Sequence, residues 1–354
     1  MTLPQSPTRI LLIQIVKLGD VLLSSALLDD LHRAYPSATI DVLTGPAAAP
    51  LLAHHPLVTR VLEYAESRAP SLAWGVRQRR YDLIVDVQSS AASAPLLFWS
   101  RARTRVGWGI RAPWVWAYTH TLPRGGRHPE FVIRERRRLL ETVGIPVGSS
   151  RPRLFLTAAE RERAEHDWRA LGLPNGRPMV GITLSGSVPM KDWPIERWAE
   201  LCDGIAGMGA QPAVLLSTAD ATKAAALASR TNAAVLVPPR DLRAYLAMLP
   251  SLQVYVSPDT GPAHFAMALG VPTVTLYTPG NAVLWNPGDE DTIAIEAPSV
   301  PPCPECTVQP LAAREKLAHH CMPRITVASV LDAVRAQLAR PPRAGSSSPP
   351  LRLA

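Results

Sequence analysis

The sequence predicts an α/β protein built from two successive doubly wound units, and three observations lead there. Short apolar runs alternate with amphipathic stretches through the first half, which implies strands alternating with helices and a parallel sheet covered on both faces. The pattern stops in a Gly-, Ser- and Pro-containing stretch over 144–153 and then restarts. The length, 354 residues, suits two domains of about 150–180 residues each, and a 47% apolar composition gives each enough side chains for a core.

In the first half, residues 9–15 read as a buried strand. A helix follows over 20–35, with Leu22, Leu23, Leu27, Leu28 and Leu31 on one side. Further strands are expected at 39–43, 58–62 and 82–87, and a charged helix at 130–143 closes the unit. In the second half a helix at 158–171 and a turn at 174–178 precede strands at 179–184, 213–217, 234–237, 254–257 and 273–277. Helices at 194–208, 219–230, 241–249 and 261–269 fall between them. A last helix, 327–338, is expected to pack back across the domain boundary. The domains are therefore 1–150 and 151–339, with a Pro- and Ser-rich tail over 340–354 that reads as disordered. Ligands in such sheets bind where strands end, in the expected cleft between the units. Functional residues are thus sought just after Ile15, Leu184, Ser217, Val237 and Ser257.

The net charge is +8, and it is carried mostly by arginine. Between Arg68 and Arg138 fourteen arginines stand against four acids, Asp82, Asp86, Glu130 and Glu135, with tryptophans interleaved. Two readings stay open: a solvated face of an arginine-rich chain, or a surface for an anionic partner such as a phosphorylated glycolipid or an anionic membrane. No helix-turn-helix, RNP or zinc-finger pattern supports nucleic-acid readout. The apolar run 10–16 is too short for a signal peptide, and nothing approaches the ~20 apolar residues of a membrane span. A cytoplasmic placement is expected, with peripheral contact at the inner face of the cytoplasmic membrane.

Three segments carry candidate chemistry. The first is Lys17-Leu18-Gly19-Asp20, between the first strand and the first helix. Asp20 can be an N-cap, or a carboxylate at the sheet edge that takes a proton from an attacking hydroxyl. The second is Leu184-Ser185-Gly186-Ser187 followed by Lys191-Asp192-Trp193-Pro194. Ser185 and Ser187 can donate hydrogen bonds to phosphate oxygens, and Lys191, one of only four lysines, can neutralise them. The alternative is an ordinary loop with a solvated lysine. The spacing is not that of a Walker loop. The third is Ser257-Pro258-Asp259-Thr260-Gly261-Pro262-Ala263-His264, a strand end that opens a helix. Helix-start N–H groups attract anions, Thr260 adds a hydroxyl, and Gly261 lets a ligand approach the backbone. Asp259 can hold sugar hydroxyls, and His264 lies one turn in. Together these residues point to a nucleotide diphosphate-sugar. Phosphates would lie between Lys191 and the helix start, and Asp20 would activate an acceptor opposite them.

The segments RILLIQIVKLGDVLLSSALLDDLHRAYPSATIDVLT, VGITLSGSVPMKDWPIERWAEL and SPDTGPAHFAMALGVPTVTLYTPGNAVLWNP resemble, in matching order, those of the lipopolysaccharide heptosyltransferases, glycosyltransferase family 9. The likeness runs from about Arg9 to Leu338. It implies a GT-B fold, with an acceptor domain first and a donor domain second, and inverting transfer that needs no metal or other cofactor. By motif, Asp20 takes the proposed general-base position and Lys191 the donor diphosphate. Asp259, Thr260, Gly261 and His264 line the donor, with Ser185 and Ser187 near its phosphates. The implied partners are a nucleotide diphosphate-sugar, usually ADP-heptose, and a lipopolysaccharide precursor. The chain departs from the family at Ser24-Ser25-Ala26, where a proline is common, and at Tyr277-Thr278-Pro279-Gly280. The residues that read the base are expected in the loops 218–220 and 238–241.

Cys303-x-x-Cys306 upstream of His319-His320-Cys321 has enough ligands for zinc, but free thiols are the default in a reduced compartment. Two rivals to the transferase stay open: a nucleotide-sugar epimerase on the same fold, and a non-catalytic nucleotide-sugar-binding relative.

Overall fold

The computed structural model describes residues 7–109, 114–123, 129–172, 176–186, 188–298 and 321–341. The chain divides into two compact units, Met1–Phe155 and Leu156–Ala354.

The first unit holds a parallel sheet of six strands: β1 Arg9–Ile13, β2 Thr39–Thr44, β3 Arg60–Glu63, β4 Leu83–Asp86, β5 Thr104–Trp108 and β6 His120–Leu122. Their order is β3-β2-β1-β4-β5-β6. β1 is buried almost throughout, as expected of a strand flanked on both sides and covered on both faces. The helix expected over 20–35 is two, α1 Leu18–Ser24 and α2 Ala26–Ala34. Ser25 stands at the break, where its hydroxyl donates to the Leu22 carbonyl at 2.6 Å and competes with the helical backbone. Three further helices complete the unit: α3 Ala69–Arg79, α4 Ala94–Ser100 and α5 Val132–Glu141. Asp30 of α2, fully buried, accepts from Arg137 of α5 at 2.7 Å, from Arg33 at 3.1 Å and from the Gly148 N–H at 2.8 Å. One carboxylate thus joins two helices to the stretch that leaves the unit.

The second unit repeats the plan. Its strands are β7 Met179–Ile182, β8 Gln211–Leu215, β9 Val235–Val237, β10 Val254–Pro258, β11 Thr273–Tyr277 and β12 Thr292–Glu296, all parallel, in the order β12-β11-β10-β7-β8-β9. Helices α6 Ala158–Ala170, α7 Ile195–Gly207, α8 Ala221–Ala228, α9 Leu242–Met248, α10 Gly261–Ala268 and α11 Ala282–Trp285 surround it. The last helix, Val327–Leu338, packs on α7 and on β10, β11 and β12 of its own unit, and Val330 and Val334 are fully buried there.

Numbered within each unit, both sheets run 3-2-1-4-5-6, so the α/β class with two Rossmann-like doubly wound units is as the sequence predicts. Strand order reverses between β1 and β4 in one sheet and between β7 and β10 in the other. Ligands of open α/β sheets bind outside the carboxyl ends of strands at such switch points.

Candidate functional site

At the β7–β10 switch point two loops meet. Beyond β7, Thr183 and Leu184 are buried and lead to Ser185 and Gly186; Ser187 lies outside the described residues. A Cβ on Gly186 would fall 2.5 Å from the Lys191 Cβ, so only glycine lets the loop fold back on itself here. The return is a 3-10 turn, Pro189–Lys191. Trp193 anchors it: its ring packs edge-on to Trp198 at 4.9 Å, and its Nε1 donates to the Ile325 carbonyl at 3.2 Å.

This turn delivers Lys191 to the end of β10. Its Nζ donates to Asp259 Oδ2 at 2.6 Å and to the Asp259 carbonyl at 3.2 Å. The Asp259 side chain is 4% exposed and that of Lys191 18%, so Lys191 is not the solvated loop lysine that one sequence reading allowed. The Asp259 N–H donates to the Leu276 carbonyl of β11, which fixes the acid between the two strands. Thr260 is the N-cap of α10, yet its hydroxyl makes no cap hydrogen bond, leaving the first N–H groups of that helix without a side-chain cap. His264, one turn on, is buried, with its ring 6.0 Å from Trp285 of α11. The structure therefore brings Lys191, Asp259, Thr260, Gly261 and His264 together at one strand edge.

A second network sits beside it over β7 and β8. Ser185 Oγ donates to Asp220 Oδ1, and Lys223 Nζ donates to Ser185 Oγ at 2.9 Å and to Asp192 Oδ2 at 2.7 Å. Asp192 Oδ1 accepts the Gly186 N–H at 2.9 Å. Asp220 Oδ2 accepts from the Ser217 N–H at 2.8 Å and the Ser217 hydroxyl at 2.6 Å. Burial pushes the Asp220 carboxyl up, but the bonds from Ser185 and Ser217 and the charge of Lys223 outweigh it and hold it below its usual range. Sequence reasoning missed Lys223, although its rarity and its place in the first turn of the helix after β8 were both visible. Behind the loop, Tyr255 links Thr183 to Tyr245, the two phenol oxygens 2.6 Å apart. Burial, followed by the Asp220 charge, pushes Tyr245 up to about 12 against the hydrogen bonds from Tyr255 and Thr183, so both phenols stay neutral hydrogen-bonding groups. Of the loops expected to read the base, Asp241 caps α9 through the Ala244 N–H at 2.9 Å, and Arg240 pairs with Asp167 at 3.3 Å.

At the β1–β4 switch point of the first unit, the N-cap of α1 is Lys17, and Asp20 is its third residue. Asp20 is thus no N-cap, and its carboxylate makes no cap hydrogen bond. Arg136 of α5 reaches it instead. Its Nη2 pairs with Asp20 Oδ1, and its Nη1 donates to the Asp20 carbonyl at 2.7 Å and to Ser24 Oγ at 3.0 Å. Among the described residues, Asp20 Oδ2 has no such donor. Lys17 holds φ 63 and ψ 120, a conformation few non-glycine residues adopt. Gln88, just past β4, holds the two residues before Lys17: its Oε1 accepts the Ile15 and Val16 N–H groups at 2.8 and 2.9 Å. Beside Gln88, Asp86 is fully buried and accepts from Ser89 N–H at 2.8 Å and Tyr118 Oη at 2.7 Å. Burial pushes its carboxyl up against these bonds.

Among the described residues no group of three or more His, Cys, Asp or Glu side chains could hold a metal ion. Cys202 is a buried free thiol, pushed by burial up to about 12, and Cys321 is buried as well. Cys303, Cys306, His319 and His320 lie outside the described residues, as does the tail from 342 on. No helix among the described residues is long and apolar enough to cross a membrane.

Comparison with known proteins decides what this pair of sheets belongs to. The sequence model of glycosyltransferase family 9 (heptosyltransferase) matches residues 70–310, two-thirds of the chain. The chain belongs to glycosyltransferase family 9. The match takes in Lys191, Lys223 and 259–264 and begins after Asp20. Lipopolysaccharide heptosyltransferase 1 of Pseudomonas aeruginosa is 26% identical over 292 residues, covering 77% of this chain and 79% of that one. The family 9 glycosyltransferase of Veillonella parvula superposes with a TM-score of 0.81 at 19% identity, over 94% of this chain and 97% of that one. The Escherichia coli ADP-heptose lipopolysaccharide heptosyltransferase II superposes at 0.77, with 22% identity over 93% and 98%. This family 9 member is a glycosyltransferase, and lipopolysaccharide heptose transfer is its family-level function.

Proposed function

We propose that the chain transfers a heptose from ADP-heptose to a lipopolysaccharide core precursor, with inversion at the anomeric carbon. The Lys191–Asp259 pair beneath an uncapped helix start carries this reading. A cation and the Gly261 N–H at the positive end of a helix suit a diphosphate, and a nearly buried carboxylate beside them suits sugar hydroxyls. The heptosyltransferase II relative, named for ADP-heptose, supports the choice of donor. On this reading the second unit holds the donor through Lys191, Asp259, Thr260, Gly261, His264, Ser185 and Ser187, with Lys223 as a second cation.

The first unit holds the acceptor. Arg136 fixes Asp20 Oδ1 and leaves Oδ2 to act as the base. The acceptor oxygen bonds to the anomeric carbon as the bond from that carbon to the diphosphate oxygen breaks. Asp20 takes the hydroxyl proton, and ADP leaves with its new charge held by Lys191 and the helix start. No metal or other cofactor enters these steps. The reaction is placed in the cytoplasm, with peripheral contact at the inner membrane face, where a lipid-linked acceptor is presented.

A thermal-shift panel of ADP-, UDP- and GDP-sugars tests the donor assignment. At about a hundred times its dissociation constant, the correct donor stabilises the protein by about 2.7 kcal/mol. ADP-heptose is expected to give the largest shift, and a larger shift with a UDP- or GDP-sugar would replace it.

A further inference from the structure

The most exposed large apolar side chains of the first unit lie on two helices and a 3-10 turn. Trp116 is 75% exposed, Trp74 60%, and Phe98 and Trp99 57% each. They come from three elements that pack in series: Trp74 from α3, Phe98 and Trp99 from α4, and Trp116 from the 3-10 turn Trp114–Ala117. The helices do not need these rings for their own packing. Val76 of α3 and Leu96 and Leu97 of α4 already fill the core behind them. Phe98 and Trp99 stand edge to face at 5.9 Å, on the outer side. Exposed apolar rings gathered on three packed elements in this way mark an interaction surface.

The charge around the patch identifies its partner. Arg68, Arg77 and Arg101 flank it on the same elements, and none forms an ion pair among the described residues. From 68 to 129 the sequence holds only two acids. Asp82 is occupied by the N–H groups of Thr8 and Arg9 and by the Thr8 hydroxyl, and Asp86 is fully buried. The surface thus offers indole rings and an excess of guanidinium groups over carboxylates, although exposed Glu66 shares the 3-10 turn Glu66–Arg68 with Arg68. Tryptophan favours the boundary between headgroups and acyl chains, and arginine favours anionic headgroups. A second copy of the chain fits poorly, because a two-fold contact would press like-charged arginines together.

We propose that α3, α4 and the Trp114–Ala117 turn dock this protein on an anionic phospholipid bilayer, with the aromatic rings at the headgroup boundary and the arginines on lipid phosphates. The proposal rests on the reading of a lipid-linked acceptor and names the surface that meets the membrane. Flotation with phosphatidylglycerol-containing and with pure phosphatidylcholine vesicles, at low and high salt, tests it. Wild-type protein is expected to float with the anionic vesicles alone, and brominated acyl chains should quench its tryptophan emission.

A W99S/W116S double variant removes two exposed rings and should keep the melting temperature. Its anionic-vesicle affinity is expected to fall roughly tenfold or more, and its residual binding to vanish at high salt. Its transfer to a delipidated acceptor oligosaccharide should be unchanged. The proposal is overturned if wild-type protein ignores anionic vesicles, if the double variant binds them as well as wild type, or if sedimentation velocity shows a dimer that the variant loses. Failure to float together with intact transfer to the delipidated acceptor would remove the docking surface and leave the transferase reading standing.

Discussion

Asp20 and Asp259 both lie at the switch point of their own sheet, Asp20 after the first strand of its unit and Asp259 after the fourth strand of its own, and each is paired with a cation. The partners differ. Arg136 comes from α5, is buried, and also grips the Asp20 carbonyl and Ser24 Oγ. A planar guanidinium with several fixed contacts is a scaffold part. Lys191 is a point charge on a flexible stem, carried by a 3-10 turn, whose ammonium is bound, among the described residues, to Asp259 alone. The first edge is therefore already arranged for its task. On the proposed function, the second has to exchange its internal pair for ligand contacts when a diphosphate-sugar arrives.

The largest way to break this comparison is Asp20→Asn. The amide keeps the shape and a contact to Arg136 but cannot take a proton, so turnover should fall about 10²–10⁴-fold with donor affinity nearly unchanged. Because Asp20 is not the N-cap, little of the loss should appear as helix destabilisation. Steady-state transfer and melting temperature on one preparation check both points. Arg136→Lys keeps the charge and loses the fork. The carboxylate then wanders, and turnover is expected to fall by up to about 10²-fold while calorimetric donor affinity holds. An unchanged turnover would reduce Arg136 to a structural strut.

Lys191→Ala acts on the other edge and in two ways. Loss of a charge-assisted contact should weaken nucleotide diphosphate binding by about 1.5–3 kcal/mol in calorimetry. Asp259, nearly buried, also loses its cation, so the ligand-free protein should melt at a lower temperature than wild type. Adding Asp259→Asn to Lys191→Ala should restore part of that melting loss. Equal melting of Lys191→Ala and wild type would show that the pair matters only with ligand bound.

Much of this was legible in the sequence, for physical reasons. Buried strands such as β1 and β10 read clearly because parallel strands covered on both faces are almost continuously apolar. β5, β6, α3 and α4 were not anticipated. α3 buries only Val76 and carries Arg77 and Arg79, and the seven residues of α4 face outward at Phe98 and Trp99, so neither shows a clean helical period. The strand–turn–helix segments around Asp20, Lys191 and Asp259 were visible because small residues, a rare lysine and a helix start coincide there. Their partners were not. Arg136 lies 116 residues from Asp20, Lys191 lies 68 from Asp259, and Lys223 lies 38 from Ser185, and nothing local signals such pairings. Asp20 was read as a cap or a base, and only its geometry shows that Lys17, held in a strained conformation, takes the cap position instead.

The most direct test of the account follows the acceptor itself. Purified protein is incubated with ADP-heptose and a heptose-deficient lipopolysaccharide precursor, and the acceptor mass is read with time. The account predicts the gain of one heptose and release of ADP, with the new anomeric configuration opposite to that of the donor. An altered donor sugar without any acceptor product would instead indicate an epimerase, and unchanged donor and acceptor with tight nucleotide-sugar binding would indicate a binding protein; either result would contradict the transfer proposed here.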